Sequence, residues 1–494
     1  MRDWLRSLLR QAPDPRMAFS AILLVSVGRI VVEVGVKGFD LPWTRLPHFI
    51  SDALIVYTMA YFAFTALFRI LLPLHLGVGN VVAAGLLLGI TPPVFEALIP
   101  SLGGKEKYYD YFFQYELWFY EPTYQPLSET LVVWLAIVGA GVFVALVSRS
   151  WWKPLVALLG AWCIFMWGGT IIPSWLVGTH EASLHPDRWI MGAPTLTTSA
   201  LIFHVSRFRA HLPSLLRLNH VLPFAGLALC GAAYGGHSLG DALWRGGFVL
   251  YLCFILLLQN DTYDANEDAR AGRVTRASGD DAYWATVLGW ILVFYVARVA
   301  PMLALTGALV LLIGWTYHHP AARLKQHFCM SYMVEGAGAL ASFATGLAGA
   351  LVVASPHPLV WPCVLVFGGG ALLSMPKDFK DVDADRAEGI PTLHVQLVQL
   401  GRDAASVQRM LAALVTLGLV GASALLGGLY GWTPALVLLM LGVLPTTGVL
   451  LWTSRPRASI RLYFAFLGTW LIGASYVLSD LFGLEWSLAL RVLA

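Results

Sequence analysis

The sequence predicts an all-α, polytopic membrane protein, and three observations support that fold class. First, hydrophobic residues make up 58% of the chain and charged residues only 12%, whereas a soluble domain has roughly 25% charged residues. Second, the apolar residues are gathered into runs of about 20, the length of a helix that crosses a bilayer. Third, basic residues concentrate in alternate connectors, as expected when Lys and Arg stay on the cytoplasmic side.

Other features of the composition narrow the class of partner. The 19 Trp and 18 Tyr residues are typical of aromatic belts at the membrane–water interfaces. A net charge of +3 is too small to indicate a nucleic-acid partner. The five cysteines are scattered, and we interpret them as packing residues. From the aromatic residues and the small net charge, we expect membrane lipid, and no nucleic acid, around this chain.

The first half, residues 1–206, contains about six apolar runs and no catalytic motif. These runs lie near 18–36, 50–71, 78–99, 129–148, 153–177 and 189–206. Four arginines precede the first run and no small-residue cleavage site follows it, which predicts an uncleaved first helix with a cytoplasmic N-terminus. We interpret this half as an accessory transmembrane module.

A basic connector, Arg207–Arg217, opens the second half, residues 207–494. About nine apolar runs follow it, near 218–238, 242–259, 282–299, 301–316, 331–354, 358–376, 404–428, 432–452 and 460–481. Basic residues alternate from connector to connector through this half. The positive-inside rule therefore places the connectors after its second and sixth runs on the cytoplasmic side. Those two connectors contain the acidic clusters described next.

The first acidic cluster reads N-D-T-Y-D-A-N-E-D and directly follows the second run of this half. Its Asn260, Asp264 and Asp268 are spaced i, i+4, i+8, so on a helix they would share one face. Carboxylates are costly near a bilayer and are normally kept there for function.

The second acidic cluster reads K-D-F-K-D-V-D-A-D and directly follows the sixth run. Its Asp378, Asp381 and Asp385 are spaced i, i+3, i+7 and would also share a helical face. Mg²⁺ prefers carboxylate oxygens and bridges well to phosphates, so two such clusters indicate a diphosphate ligand. An allylic prenyl diphosphate ionises when its charge is neutralised by metal ions and by nearby Lys and Arg. Basic residues lie in the same connectors.

Both segments resemble signature motifs of the UbiA-type membrane prenyltransferase superfamily. The first matches the pattern N-D-x-x-D-x-x-x-D. The second extends from Lys377 to Val395 as K-D-F-K-D-V-D-A-D-R-A-E-G-I-P-T-L-H-V, and includes Gly389 and the Thr392–Leu393 pair. The resemblance covers about 211–490. It implies a nine-helix bundle, preceded here by a module that has no counterpart in the minimal family fold.

The resemblance also implies roles for individual residues. Two Mg²⁺ ions, replaceable by Mn²⁺, would be held by Asn260, Asp264, Asp268, Asp378, Asp381 and Asp385. The diphosphate would be bound by Asn260, Arg273, Arg276 and Lys377. The catalytic residues would lie in the connector W-T-Y-H-H-P-A-A-R-L-K, as Tyr317, Arg323 and Lys325. No role is assigned to three loop histidines without metal-ligand spacing, His318, His319 and His394.

The expected reaction is Mg²⁺-dependent transfer of an isoprenoid chain from a prenyl diphosphate to an acceptor, with release of pyrophosphate. It would take place in an inner or plasma membrane, with the active-site connectors on the cytoplasmic side. The acceptor stays open. Two alternatives also stay open: a membrane terpene cyclase, in which the carbocation closes on itself, and an ion-coupled transporter. Transporter acids usually lie in mid-span, whereas these lie at the ends of runs.

Overall fold

The computed structural model describes residues 9, 14–37, 46–73, 76–99, 127–148, 150–166, 218–265, 279–327, 330–349, 360–375, 385–386 and 389–430. Helices are the only regular secondary structure in these ranges, which confirms the all-α fold class. The apolar runs near 189–206, 432–452 and 460–481 lie outside the described residues. The count of nine helices in the second half therefore stays a prediction.

The helices of the first half follow the predicted apolar runs. They are α1 (Pro15–Lys37), α2 (Leu46–Leu71), α3 (Val78–Leu86), α4 (Thr91–Leu98), α5 (Leu127–Val147) and α6 (Lys153–Met166). A 3₁₀ turn, Leu87–Ile90, joins α3 to α4. Pro92 and Pro93 lie near the start of α4. Proline lacks an amide hydrogen, but at this position the amide would have no acceptor within the helix, so proline is tolerated. One predicted span thus consists of two helices.

The helices of the second half begin within a few residues of the predicted runs. They are α7 (Leu218–Tyr234), α8 (Leu239–Tyr263), α9 (Gly279–Val299), α10 (Pro301–His318), α11 (Met330–Leu347), α12 (Val360–Ser374), α13 (Leu393–Gln399) and α14 (Ala404–Tyr430). A short 3₁₀ turn, Leu324–Gln326, lies between α10 and α11. The apolar runs do not predict the short helix α13, because it is only seven residues long.

Five segments of the described chain are long and apolar enough to cross a membrane. They are Pro15–Gly35, Val78–Leu98, Leu127–Val147, Gly240–Tyr263 and Pro301–His318. Large apolar side chains on these helices are exposed, for example Leu24 at 58% and Leu305 at 55%. An apolar surface of this kind is compatible with lipid and unfavourable in water. The protein is therefore an integral membrane protein.

The described residues separate into two compact units. The first contains the helices up to Met166 together with Trp290–Val299, and the second contains Leu218–Gly289 and the helices from Ala300 onward. The expected boundary between an accessory module and a catalytic domain, at residues 206 and 207, lies outside the described residues and stays a prediction.

A buried polar network holds the first unit together. Arg29 of α1 forms an ion pair with Glu129 of α5 at 3.0 Å and donates to the Tyr57 hydroxyl of α2 at 3.1 Å. Gly89 leaves room for the tyrosine ring, since a Cβ there would lie 2.5 Å from the Tyr57 hydroxyl oxygen. Because burying a charge without a partner is costly, this network requires α1, α2 and α5 to pack together.

In the second unit, glycines allow helices α7 and α11 to cross closely. A Cβ added at Gly231 would overlap the backbone of Phe343, and one added at Gly346 would overlap the backbone of Ala228. Small residues at a crossing let two backbones approach each other within a membrane. These contacts place α11 firmly against α7.

Arg245 fixes the C-terminal end of α11 to the first turns of α8. Its guanidinium donates to the carbonyl oxygens of Thr345, Gly346 and Ala348, at 3.2, 3.1 and 2.6 Å. The last carbonyl oxygens of a helix have no N–H donor within the helix, and a cation beside them is favourable. Since α8 and α11 run in opposite directions, the other end of α8 lies beside the start of α11.

Candidate functional site

The described part of the candidate site is built around Asp264, the residue that ends α8. Its N–H still donates to the Asn260 carbonyl at 2.8 Å, but its φ and ψ of −91° and 4° are no longer helical. The motif spacing predicted one helical face continuing beyond this point, whereas α8 ends at Tyr263. Asp264 nevertheless lies one turn after Asn260, and only 8% of it is exposed.

Two basic side chains hold the Asp264 carboxylate. Lys325 Nζ donates a hydrogen bond to Asp264 Oδ1, and Arg323 Nη2 lies 3.6 Å from the same oxygen. The side chains of Lys325 and Arg323 are 15% and 24% exposed, so all three groups are partly shielded from water. Lys325 and Arg323 thus place two cations at the end of α8, and such groups bind carboxylate and phosphate oxygens well. The structure thus brings together three of the residues predicted to form the site.

The backbone of Arg323 adopts a left-handed conformation, with φ 38° and ψ 50°. This conformation costs a residue other than glycine about 1–2 kcal/mol. The His319 carbonyl oxygen accepts hydrogen bonds from the Ala322 and Arg323 amides, at 3.0 and 2.8 Å. Those bonds hold the turn in place, and such strained residues cluster at functional sites.

Tyr317, also predicted to be catalytic, lies in the last turn of α10. Its ring is buried, and its hydroxyl oxygen lies 3.4 Å from Ser331 Oγ in the first turn of α11. The edge of the His318 ring meets it, with the two centroids 4.8 Å apart. Tyr317 therefore connects the two helices that flank the basic connector.

Asp385 of the second cluster is half-buried and belongs to a well-defined chain reversal. Ile390 N–H donates to the Asp385 carbonyl oxygen at 2.8 Å, and Gly389 N–H to the Arg386 carbonyl oxygen at 3.3 Å. This pair of bonds is the Schellman ending of a helix. Gly389 has a φ of +71°, which is cheap only for glycine. The glycine of the second motif thus reverses the chain just after Asp385.

The threonine of the same motif starts the next helix. Thr392 Oγ1 accepts from the Val395 N–H at 3.3 Å, as the N-cap of α13. Helix α13 then packs against Val407 and Leu411 of α14. The later residues of the second motif therefore have a structural role, since they start α13 and fix it against α14.

Several predicted site residues lie outside the described residues. They are Asp268, Arg273, Arg276, Lys377, Asp378 and Asp381. Their roles stay predictions.

Sequence reasoning missed two residues beside Asp264. The ring of His319 stacks on Trp315 with centroids 4.3 Å apart and meets Tyr263 at 5.3 Å. Asp261 lies in the last turn of α8 and is only 7% exposed. The i, i+4, i+8 spacing that starts at Asn260 does not include it. Signals were present in both cases: the adjacent N-D pair for Asp261, and the i, i+4 spacing from Trp315 for His319.

The side chains at the end of α8 fit a hard divalent cation. Asn260, Asp261 and Asp264 offer only oxygen donors, which Mg²⁺ prefers. Within the described part of the chain, His, Cys, Asp and Glu side chains form no group of three or more that could hold a metal ion. A complete metal centre would therefore need acids of the two motifs beyond the described ranges.

Comparison with protein families gives one match. The model of the UbiA prenyltransferase family matches residues 222–470, which span both acidic motifs and the basic connector between α10 and α11. Comparison with curated proteins gives no match.

Among solved structures, several of a UbiA homologue from Archaeoglobus fulgidus are similar to this chain. The structure bound to DMAPP and Mg²⁺ is 15% identical, covers 54% of this chain and 98% of its own, and has a TM-score of 0.38. The structure bound to Cd²⁺ is 17% identical, covers 54% and 99%, and has a TM-score of 0.38. The structure bound to GPP and Mg²⁺ is 15% identical, with the same coverage of 54% and 99% and a TM-score of 0.38.

Proposed function

Because the chain belongs to the UbiA prenyltransferase family, we propose that it transfers an isoprenoid chain from a prenyl diphosphate to an acceptor within the membrane, releasing pyrophosphate. The observation that carries this proposal is the contact of Lys325 and Arg323 with Asp264 at the end of α8. It brings cations and a carboxylate together at the end of a membrane-spanning helix, where a lipid-like substrate can bind.

In the proposed reaction, Lys325 and Arg323 bind oxygens of the diphosphate and give up part of their contact with Asp264. Both cations are partly shielded from water, which strengthens their attraction for an anion. As the bond between the isoprenoid carbon and the diphosphate oxygen breaks, negative charge grows on the leaving group. The two cations stabilise that charge. The acceptor then bonds to the isoprenoid carbon and loses a proton.

Mg²⁺ fits this site as the divalent cation, with Mn²⁺ as a substitute. When bound, Mg²⁺ would neutralise the diphosphate and act as a Lewis acid. The ligands proposed for two ions are Asn260, Asp264 and Asp268 in the first motif, and Asp378, Asp381 and Asp385 in the second. Asp261 is a further oxygen donor at the end of α8.

We propose that the remaining basic and aromatic site residues contact the diphosphate. Arg273, Arg276 and Lys377 would bind it together with Asn260, and Tyr317 would contact it from the end of α10. The acceptor is not assigned.

We further propose that the site faces the cytoplasm, in an inner or plasma membrane, because the connectors that hold both motifs are basic. A cysteine introduced at Ala277 should then react with an impermeant thiol reagent from the cytoplasmic side only, and one at Gly104 from the outer side only. Labelling of both positions from the same side would contradict the even number of spans proposed for residues 1–206.

The proposed function is tested with the purified full-length protein in lipid nanodiscs. Prenyl diphosphates of increasing chain length are supplied with Mg²⁺, with and without aromatic and lipid-like acceptors, and pyrophosphate release and products are measured. We expect release that requires an acceptor, stops with EDTA and returns with Mg²⁺ or Mn²⁺. Release without acceptor, together with a cyclic hydrocarbon, would instead identify a cyclase. No release with any diphosphate would refute both.

A further inference from the structure

We propose that His319 is a positioning residue that sets Lys325 and Arg323 against Asp264, an inference that rests on the proposed function. His319 directly follows α10 and is its C-terminal capping residue. It opens the connector that carries both cations. His319 makes two separate sets of contacts, one through its imidazole ring and the other through hydrogen bonds.

The ring of His319 joins the basic connector to the end of α8. It stacks on Trp315 of α10, with centroids 4.3 Å apart and planes inclined by 26°. It also meets Tyr263 nearly at right angles, with centroids 5.3 Å apart. Tyr263 is the residue before Asp264, so the ring links the carboxylate's own helix to the cations' connector. Aromatic pairs in these geometries are favourable beyond the area that they bury.

The hydrogen bonds of His319 hold three consecutive backbone amides of the connector. Its Nδ1 accepts from the Ala321 N–H at 3.2 Å. Its carbonyl oxygen accepts from the Ala322 N–H and the Arg323 N–H, at 3.0 and 2.8 Å. These bonds close a tight turn immediately before Lys325 and support the left-handed conformation of Arg323, with its φ of 38°.

Both sets of contacts affect where Lys325 and Arg323 lie relative to Asp264. Without the ring contacts, the connector loses its lateral link to Tyr263. Without the bond to Nδ1, the turn that aims Arg323 and Lys325 is weakened. Misplacing a reacting or binding group by about 1 Å can cost about 100-fold in rate. His319 therefore controls diphosphate binding through two other side chains and does not need to touch the substrate.

Three substitutions in the full-length protein separate these contributions. His319→Phe keeps a stacking ring but removes the acceptor; His319→Asn keeps a side-chain acceptor but removes the ring; His319→Ala removes both. The matched control is His327→Ala, because His327 lies in the same connector and is exposed. Hydrogen–deuterium exchange of the peptide that contains Ala321, Ala322 and Arg323 reports on the turn. Pyrophosphate release gives kcat and KM for the prenyl diphosphate.

We expect His319→Ala to raise amide exchange in the turn and to lower kcat/KM about 10- to 100-fold. The Phe and Asn variants should each recover part of the loss, and His327→Ala should match the wild type. In a Lys325→Met background, His319→Ala should cost far less, because two residues that act through one another are not additive. A merely structural histidine would instead give the same loss in both backgrounds.

Two results would overturn the role of His319: an Ala variant within about twofold of the wild type, or a loss that is fully additive with Lys325→Met. Failure of the proposed function looks different, since the wild-type protein itself would then release no pyrophosphate from any prenyl diphosphate. An active wild type with an equally active His319→Ala variant would refute only the positioning role.

Discussion

The two units of this protein both contain buried or half-buried charges, but they shield these charges from water to different degrees. In the first unit, Arg29 and Glu129 form an ion pair whose side chains are 5% and 11% exposed, and the Tyr57 hydroxyl accepts a further hydrogen bond from Arg29. In the second unit, the carboxylate of Asp264 contacts the two cations of Lys325 and Arg323, whose side chains are 15% and 24% exposed. The first pair is nearly withdrawn from water, and the second cluster is partly open to it.

This difference indicates which charges serve the fold and which serve a ligand. A deeply buried ion pair is closed to a ligand, and breaking it leaves a buried charge. A partly exposed cluster at a helix end can exchange one partner for another. The residues of the first unit should therefore affect stability, and those of the second should affect turnover.

The largest expected effect is on turnover and concerns Asp264. We expect Asp264→Asn, which removes the charge but keeps the shape, to lower kcat at least 1000-fold, about 4 kcal/mol of transition-state stabilisation. Pyrophosphate release under saturating Mg²⁺ measures it. The matched control is Asp241→Asn at the opposite, exposed end of the same helix, which should keep full activity. A folded Asp264→Asn protein with more than about a tenth of normal activity would show that turnover does not depend on this carboxylate.

The second effect concerns stability alone. Arg29→Met leaves Glu129 buried without its partner, which should cost on the order of 3 kcal/mol, seen as a lower midpoint of thermal unfolding in detergent. The double variant Arg29→Met with Glu129→Leu should recover most of that loss, because an apolar pair needs no charge balance. In each case kcat of the folded protein should be unchanged. A large loss of kcat without loss of stability would mean that the first unit contributes to the site.

A smaller effect is expected when the first half is removed. A truncated chain that begins at Arg207 should still release pyrophosphate, within about tenfold of the full-length protein, because both acidic motifs and the basic connector are retained. The measurement is pyrophosphate release in nanodiscs. A truncated protein that is monodisperse and helical by circular dichroism, yet inactive, would show that the division at 206 and 207 is wrong.

The smallest effect separates the charge of Arg323 from its backbone strain. Arg323→Gly and Arg323→Ala both remove the guanidinium and should reduce turnover equally. The glycine variant should be more stable by about 1 kcal/mol, because glycine accepts the left-handed conformation freely. Thermal unfolding of the two variants gives the difference. Ala322→Gly, in the same turn, is the control and should not stabilise the protein.

Much of the helical fold could be predicted from the sequence, because long apolar runs and basic connectors leave few alternatives in a membrane. Local breaks were harder to predict. The run 78–99 is divided by the 3₁₀ turn Leu87–Ile90, and α8 ends at Tyr263 rather than continuing through the first motif. Hydropathy does not register either feature, since both depend on backbone hydrogen bonds that a few residues form locally.

The sequence alone predicts the class of chemistry, from acidic motifs at the ends of apolar runs and from Arg323 and Lys325 in a nearby connector. The packing of the helices adds that both cations lie against the same oxygen of Asp264. It also adds that the ring of His319, unassigned from the sequence, stacks on Trp315 and meets Tyr263 nearly at right angles. The physical reason is distance along the chain. Spacing rules relate residues three or four apart on one helix, whereas Asp264 and Lys325 are 61 residues apart and meet only because α8, α10 and α11 pack together.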